Sequence, residues 1–247
     1  MILMVNQLKN QIRLLLNFCH LDLTKNLQYD RLTKEIIKSS TTKDSNCVDV
    51  GCHKGEILDL FLQYSPEGKH FCFEPIPVFF DELNRKYQNI AVIHPFALSD
   101  TEGKTTFNFV RNDPAYSGIK KRKYDVKKPD IEEIEVEVKC LDNVIPPSIK
   151  VDLIKIDVEG AELNVLKGAS KTLTQNKPVV IFEFGLGASD YYGVKPESLF
   201  EFFKGIDFRL STMKSFLKNK EGLDLDNFVN LYHTNEEYYF VAWPSRE

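Results

Sequence analysis

Five short, unbroken apolar runs are spaced through the middle of this chain: NCVDV, KHFCFE, NIAVIHP, VDLIKID and PVVIFEF. A strand that is apolar at every position has both faces buried. Strands with one wet face alternate instead, so continuous runs joined by helical patterns point to a mostly parallel sheet covered by helices. The spacing predicts helices over residues 56–64, 77–87 and 197–203, and one whose face carries Leu163, Leu166, Ala169 and Leu173. Strand candidates DFRLST and YYFVAW follow. The expected fold class is α/β, a Rossmann-like mostly parallel sheet with helices on both faces. One part breaks the alternation. KTTFNFV and IEEIEVEVKC show period-two patterning around a polar stretch, residues 111–130, which predicts an antiparallel β excursion between strands 3 and 4.

A length of 247 residues allows one large α/β domain with a sizeable core, or two small ones. The net charge of −4 gives no general attraction to nucleic acid or anionic lipid. Cys19, Cys47, Cys52, Cys72 and Cys140 form no C-x-x-C pair, which favours reduced thiols and a cytoplasmic setting. Met4, Leu8, Ile12, Leu15 and Cys19 fall on one helical stripe, so residues 1–44 read as an N-terminal helical extension of a domain over 45–247. That stripe packs on the domain or on a second subunit, making a homo-oligomer possible. No segment is long and apolar enough to span a bilayer.

The turn in VDVGCHKGE decides the cofactor. A glycine turn opening a helix normally attracts an anion. Here Asp49 stands at its edge, and His53 occupies the second glycine position of a dinucleotide fingerprint. Two like charges ~4 Å apart repel by roughly 4 kcal/mol at a surface-like dielectric, so a pyrophosphate is disfavoured. S-adenosylmethionine carries an ammonium and a sulfonium, and reverses that sign. The competing account of Asp49 is a carboxylate that caps turn N–H groups. Glu74 lies 23 residues after Gly51 at a strand end, a spacing that suits a carboxylate gripping ribose hydroxyls.

VDVGCHKGE, FEPIP, HPFALSD, IKIDVEGAELNVLKGA and VVIFEF occur in an order that resembles FkbM-family methyltransferases, over about residues 45–185. The resemblance implies a Rossmann-like sheet that binds S-adenosylmethionine and methylates a hydroxyl of a sugar, glycan precursor or secondary metabolite. The expected cofactor-binding set is Asp49, Gly51, Cys52, His53, Gly55, Glu56, Glu74, Pro75, Phe96, Ala97, Leu98 and Asp157. The family does not settle whether a divalent metal takes part. Residues 1–44 and those after 185 match no motif and are where acceptor identity is expected to be set. The rival readings are a nicotinamide-dependent oxidoreductase or epimerase, and a non-catalytic nucleotide-binding module.

Asp157 and Glu183 end buried strands at the sheet's carboxyl edge, where ligands bind in this architecture. They and His53 are the catalytic candidates, as a general base or, for the two acids, as oxygen ligands for Mg²⁺. Glu159 and Glu162 read more simply as acids in a helix's first turn. His20, His70, His94 and His233 have no partner spacing, so structural roles are the default. The excursion reads first as a solvated loop, and second as a lid recruiting an anionic acceptor through Tyr116, Ser117, Lys120, Lys121, Arg122 and Lys123.

Overall fold

The computed structural model describes residues 24–124, 126–218 and 221–245. The stripe from Met4 to Cys19, His20, and any subunit contact made through that stripe lie outside the described residues. Among the described residues no helix is long and apolar enough to cross a membrane.

The five apolar runs become β1 (Cys47–Val50), β2 (His70–Phe73), β3 (Val92–His94), β7 (Leu153–Ile156) and β8 (Val179–Glu183). They pair in parallel in the order β3-β2-β1-β7-β8, and the sheet continues through β10 (Tyr239–Pro244) to β9 (Phe208–Thr212). β10 runs antiparallel to both of its neighbours. The chain therefore fills the position between β8 and β9 with a strand that comes after both.

Alternation along each strand divides the core into two layers. Val48, Val50, Phe73, Ile154, Ile156, Phe182 and Phe240 belong to one buried cluster. Cys47, Cys72, Leu153, Ile181 and Val241 belong to the other, under α1 (Lys25–Ser40) and α2 (Glu56–Tyr64). Helix α1 buries Tyr29, Leu32, Thr33, Ile36 and Ile37, a stripe at three- and four-residue spacing, and Thr24 caps it by accepting the Leu27 N–H. It shares its core with the sheet.

The next helix, α3 (Pro77–Lys86), starts on a proline at its first turn, where a missing N–H costs nothing. The short strand β4 (Ala97–Leu98) leads into the excursion, β5 (Gly103–Val110) and β6 (Ile131–Lys139), which are antiparallel to each other as the patterning predicts. β6 also pairs in parallel with β4, so the excursion is a small three-stranded sheet of order β4-β6-β5. It packs through Ile76, Phe79, Phe107 and Val136.

The single helix expected to carry Leu163 through Leu173 is two helices after a short α4 (Leu141–Val144): α5 (Glu162–Gly168) and α6 (Ser170–Asn176). The cause is local. A Cβ at Gly168 would lie 2.0 Å from the Ser99 carbonyl, so the backbone is pressed against the loop after β4. Asp142 then caps the new helix from outside, accepting the N–H groups of Lys171 and Thr172, both at 2.8 Å. The remaining helices are α7 (Pro196–Gly205), α8 (Met213–Lys218) and α9 (Leu225–Thr234).

Candidate active site

A cleft of about 840 Å³ opens at the carboxyl edge of the parallel strands, lined by residues from Asn26 on α1 to Tyr239 on β10. Gly51 turns the chain out of β1 with φ of +82°, and a Cβ there would lie 1.9 Å from the Asp157 carbonyl oxygen. The turns after β1 and β7 are thus in backbone contact, which only glycine permits.

Glu74 follows β2 and faces this turn. Its carboxylate accepts the His53 N–H and the Ile76 N–H, both at 2.9 Å, and the residue is 3% exposed. Burial raises its pKa to about 7, against the two backbone hydrogen bonds that lower it. Beside it Phe73, Phe96 and Leu98 give the cleft an apolar wall, with Phe96 tilted against both Phe73 and His94.

At the opposite side, β7, β8 and β10 deliver a cluster of charged groups. Lys155 is 3% exposed, yet its Nζ lies 3.0 Å from Asp157 Oδ2. Tyr239 donates to the same oxygen at 2.5 Å, and its ring lies 4.8 Å from the Lys155 ammonium. Burial alone would raise the Asp157 pKa. The Lys155 charge, with hydrogen bonds from Glu183, Tyr239 and Lys155, outweighs burial and holds it below the usual carboxylate value. Glu183, register partner of Tyr239, moves the other way. Burial and the charges of Asp157 and Glu159 push its pKa well up.

Carboxylate oxygens of Asp157, Glu159 and Glu183 come within 4.8 Å of one another. Two protein cations already sit on this cluster, Lys155 on Asp157 and Arg122 on Glu159. Glu159 was expected to be an ordinary first-turn acid. Instead it precedes the helix, has φ of +59°, and turns its carboxylate into the cleft. Glu162 is also more than a first-turn charge: 1% exposed, it accepts the Gly160 N–H at 3.0 Å and the Val158 N–H at 3.3 Å, bracing the loop that carries Asp157 and Glu159.

The polar part of the excursion is tied to the rest of the molecule by specific contacts from Lys120 to Lys123. Arg122 pairs with Glu159, donates to the Gly187 carbonyl at 3.1 Å, and lies 4.7 Å from the Tyr116 ring. The Lys120 and Lys123 N–H groups donate to the hydroxyls of Tyr192 and Tyr191, at 3.2 and 3.1 Å. The excursion is thereby tied to the segment after β8, whose 3₁₀ turn covers Ser189–Tyr192. This corrects the expected acceptor set. Tyr116, Ser117, Arg122 and Lys123 line the cleft; Lys120 and Lys121 do not. Lys121 is committed to Glu133, and Ser117 accepts the Val110 N–H at 3.0 Å.

The expected cofactor residues divide in the same way. Gly51, Cys52, His53, Glu56, Glu74, Pro75, Phe96, Ala97, Leu98 and Asp157 all line the cleft. Asp49 does not stand at the mouth of the turn. It is the third residue of β1, 1% exposed, with one carboxylate oxygen lacking a hydrogen-bond partner. Gly55 is also withdrawn: with φ of +79° it forms the start of α2 against Tyr87. The His53 imidazole packs edge-on against Phe79 with centroids 4.6 Å apart and makes no hydrogen bond to the acids; its backbone N–H serves Glu74. His70 and His94 are structural as expected: His70 bonds the Ser65 carbonyl and His94 stacks on Phe73.

Lys155, Asn26, Tyr29, Tyr238 and Tyr239 are among the cleft residues that escaped the sequence reading, and Glu159 was read only as a helix acid. One signal was present for Lys155, since a lysine inside an otherwise apolar strand needs a buried partner. Tyr29 and Tyr239 belong to segments without a motif, and their rings meet at 4.9 Å where α1 crosses the end of β10.

The sequence from 49 to 210 matches the methyltransferase FkbM domain. The 2-O-methyltransferase NoeI of Sinorhizobium fredii is 26% identical over 166 residues, covering 60% of this chain and 66% of that protein. The methyltransferase sdnD of Sordaria araneosa is 30% identical over 159 residues, covering 50% and 60%. The chain thus spans less than two thirds of the length of these curated relatives. Among solved structures, the FkbM methyltransferase of Methylobacillus flagellatus superposes with a TM-score of 0.51 at 17% identity, over 82% of this chain and 44% of that one. With the family match extending from β1 to β9 over a sheet of this order, the chain belongs to the FkbM methyltransferase family.

Proposed function

We propose that this protein transfers a methyl group from S-adenosylmethionine to a hydroxyl of a small acceptor. One observation carries the reading. Glu74, pinned by two N–H groups, faces the same cleft as the Asp157 cluster across a turn where only glycine fits. The lining suits the cofactor. Glu74 would hold the ribose hydroxyls, Phe73, Phe96 and Leu98 the adenine, and the acids at the ends of β7 and β8 the cationic methionine part. When bound, S-adenosylmethionine supplies a methyl on a sulfonium, and the electron pair of the broken carbon–sulfur bond stays on sulfur.

The protein's own part is to align donor and acceptor, worth ~7–11 kcal/mol of barrier, and to accept the hydroxyl proton, worth roughly 10²–10⁴-fold. Asp157 is the group we assign to that proton. We assign a neutral hydroxyl-bearing ring as acceptor in place of an anionic sugar derivative, because the acids outnumber the cations at this end and Arg122 and Lys121 are already paired. Tyr116, Tyr238 and Tyr239 offer faces to such a ring. NoeI, a 2-O-methyltransferase, is a relative whose activity fits this reading. A reducing, cytoplasmic setting belongs to the same reading, supported by the free thiols of Cys47, Cys52, Cys72 and Cys140.

The test is a thermal-shift comparison of S-adenosylmethionine, S-adenosylhomocysteine, NAD and NADP, followed by methyl-label transfer onto a panel of sugars, glycosides and polyols. A ligand at ~100 times its dissociation constant adds ~2.7 kcal/mol of stability. Stabilisation by S-adenosylhomocysteine and labelled ether product are expected. Stabilisation by NAD alone would overturn the assignment.

A further inference from the structure

We propose that Lys155 is a positioning residue of the acceptor site: seated on the Tyr239 ring, it fixes the Asp157 carboxylate, ionised, to take the acceptor's proton. This rests on the methyl-transfer reading for its purpose, while its test is read on the free protein.

A lysine 3% exposed in the middle of a buried strand is an unusual residue. Its register neighbours are Asp49 on β1 and Ile181 on β8, and its Nζ goes to Asp157. As a device for stability the arrangement is poor. A buried ion pair returns little over a well-packed apolar pair, and an apolar residue is what every other position of β7 carries. Geometry gives a better account. Lys155 and Tyr239 donate to one and the same oxygen, at 3.0 and 2.5 Å, and touch each other through the ring face. This closed triangle leaves Asp157 little freedom to rotate. The three members come from two different strands and all line the cleft.

The surroundings explain why a cation is needed. Asp157 is faced by Asp49 from β1, by Glu159 and Glu162 from the following loop and α5, by Glu183 from β8 and by His53 from the first turn, while Arg122 sits on the neighbouring Glu159. Carboxylates crowded this closely share protons. Arg122 is spent on Glu159, so Lys155 decides which acid is left ionised. In the reaction the proton leaves the acceptor oxygen, resides on Asp157, and passes on to water. With Lys155 removed, Asp157 would hold its proton to higher pH and lose one of the two donors that orient it.

The full chain is labelled with carbon-13 at aspartate side-chain carboxyls, and the Asp157 resonance is identified by its loss in Asp157→Asn. In the wild type the Asp157 midpoint should lie below that of an ordinary aspartate. Lys155→Met should raise its midpoint by at least ~1 unit, equal to a tenfold change in proton affinity. Lys155→Arg should restore it, and Tyr239→Phe should give a smaller upward shift. With any acceptor found in the panel, the acid limb of kcat/KM should move by the same amount in Lys155→Met. A folded Lys155→Met protein with an unmoved Asp157 midpoint overturns the inference. If that variant does not fold, an unmoved midpoint in Tyr239→Phe overturns it. Failure of S-adenosylhomocysteine to stabilise the wild type would remove the methyl-transfer reading and leave the titration result standing.

Discussion

Glu74 and Asp49 are both buried acids whose pKa lies near 7, yet they differ in partners. Glu74 has two N–H donors and faces the cleft; Asp49 has an unpartnered oxygen inside β1. The first is organised to receive a ligand. Glu74→Ala should weaken S-adenosylhomocysteine binding by ~1.5–3 kcal/mol, measured by calorimetry, the scale of hydrogen bonds to a charged group. The second is an unfavourable charge. Burial raises its value well above the unfolded one of about 4, so protonated Asp49 favours folding fully below that pH, and the benefit is lost as pH rises through about 7. The histidines, whose values burial lowers, act in the opposite sense, so a difference measurement isolates Asp49. The stability gained by Asp49→Asn over the wild type should be near zero around pH 4 and reach at least ~2 kcal/mol near pH 8, by urea unfolding. A gain independent of pH would show that this carboxyl does not titrate in that window.

The polar stretch of the excursion is the element whose contacts differ most from what its composition suggests. A run of lysines and arginines with a proline and a glycine reads as solvated, because charge patterning carries no information about partners far along the chain. Those partners, Glu159, Gly187, Tyr191 and Tyr192, lie 37 to 72 positions later, and three of them have no motif around them. The strands β1, β2, β3, β7 and β8 were legible for the converse reason: burial on both faces writes itself into consecutive residues. The helix break at Gly168 was hidden because its cause is a carbonyl from another loop. Arg122→Ala should therefore raise amide exchange of residues 114–123 and 186–192 by at least tenfold in hydrogen-exchange mass spectrometry, with β1 and β7 unchanged. Equal exchange in both proteins would return the excursion to a solvated loop. For the turn itself, Gly51→Ala should cost ~1–3 kcal/mol of strain and abolish the melting shift given by S-adenosylhomocysteine, since both its φ and the Asp157 carbonyl oppose a side chain.

For the molecule as a whole, the side of the cleft built at the ends of β1 and β2 was readable and the side built by α1 and β10 was not. Gly51, Glu74 and Phe96 sit where strand ends and spacing put them. Asn26, Tyr29, Tyr238 and Tyr239 reach the cleft only through the order of the sheet, which a period of two or 3.6 does not report. That order has a temporal consequence. Synthesis proceeds from Asn26 toward Tyr239, and β9 is made before the strand that lies between it and β8. A nascent chain thus has a slot in its sheet until β10 leaves the ribosome. Until then Asp157 lacks its Tyr239 partner, and two strand edges are open to pairing with another chain. The Tyr239 contact makes the last described strand a completeness check, so that a chain stalled before it holds Gly51 and Glu74 without a finished Asp157 cluster.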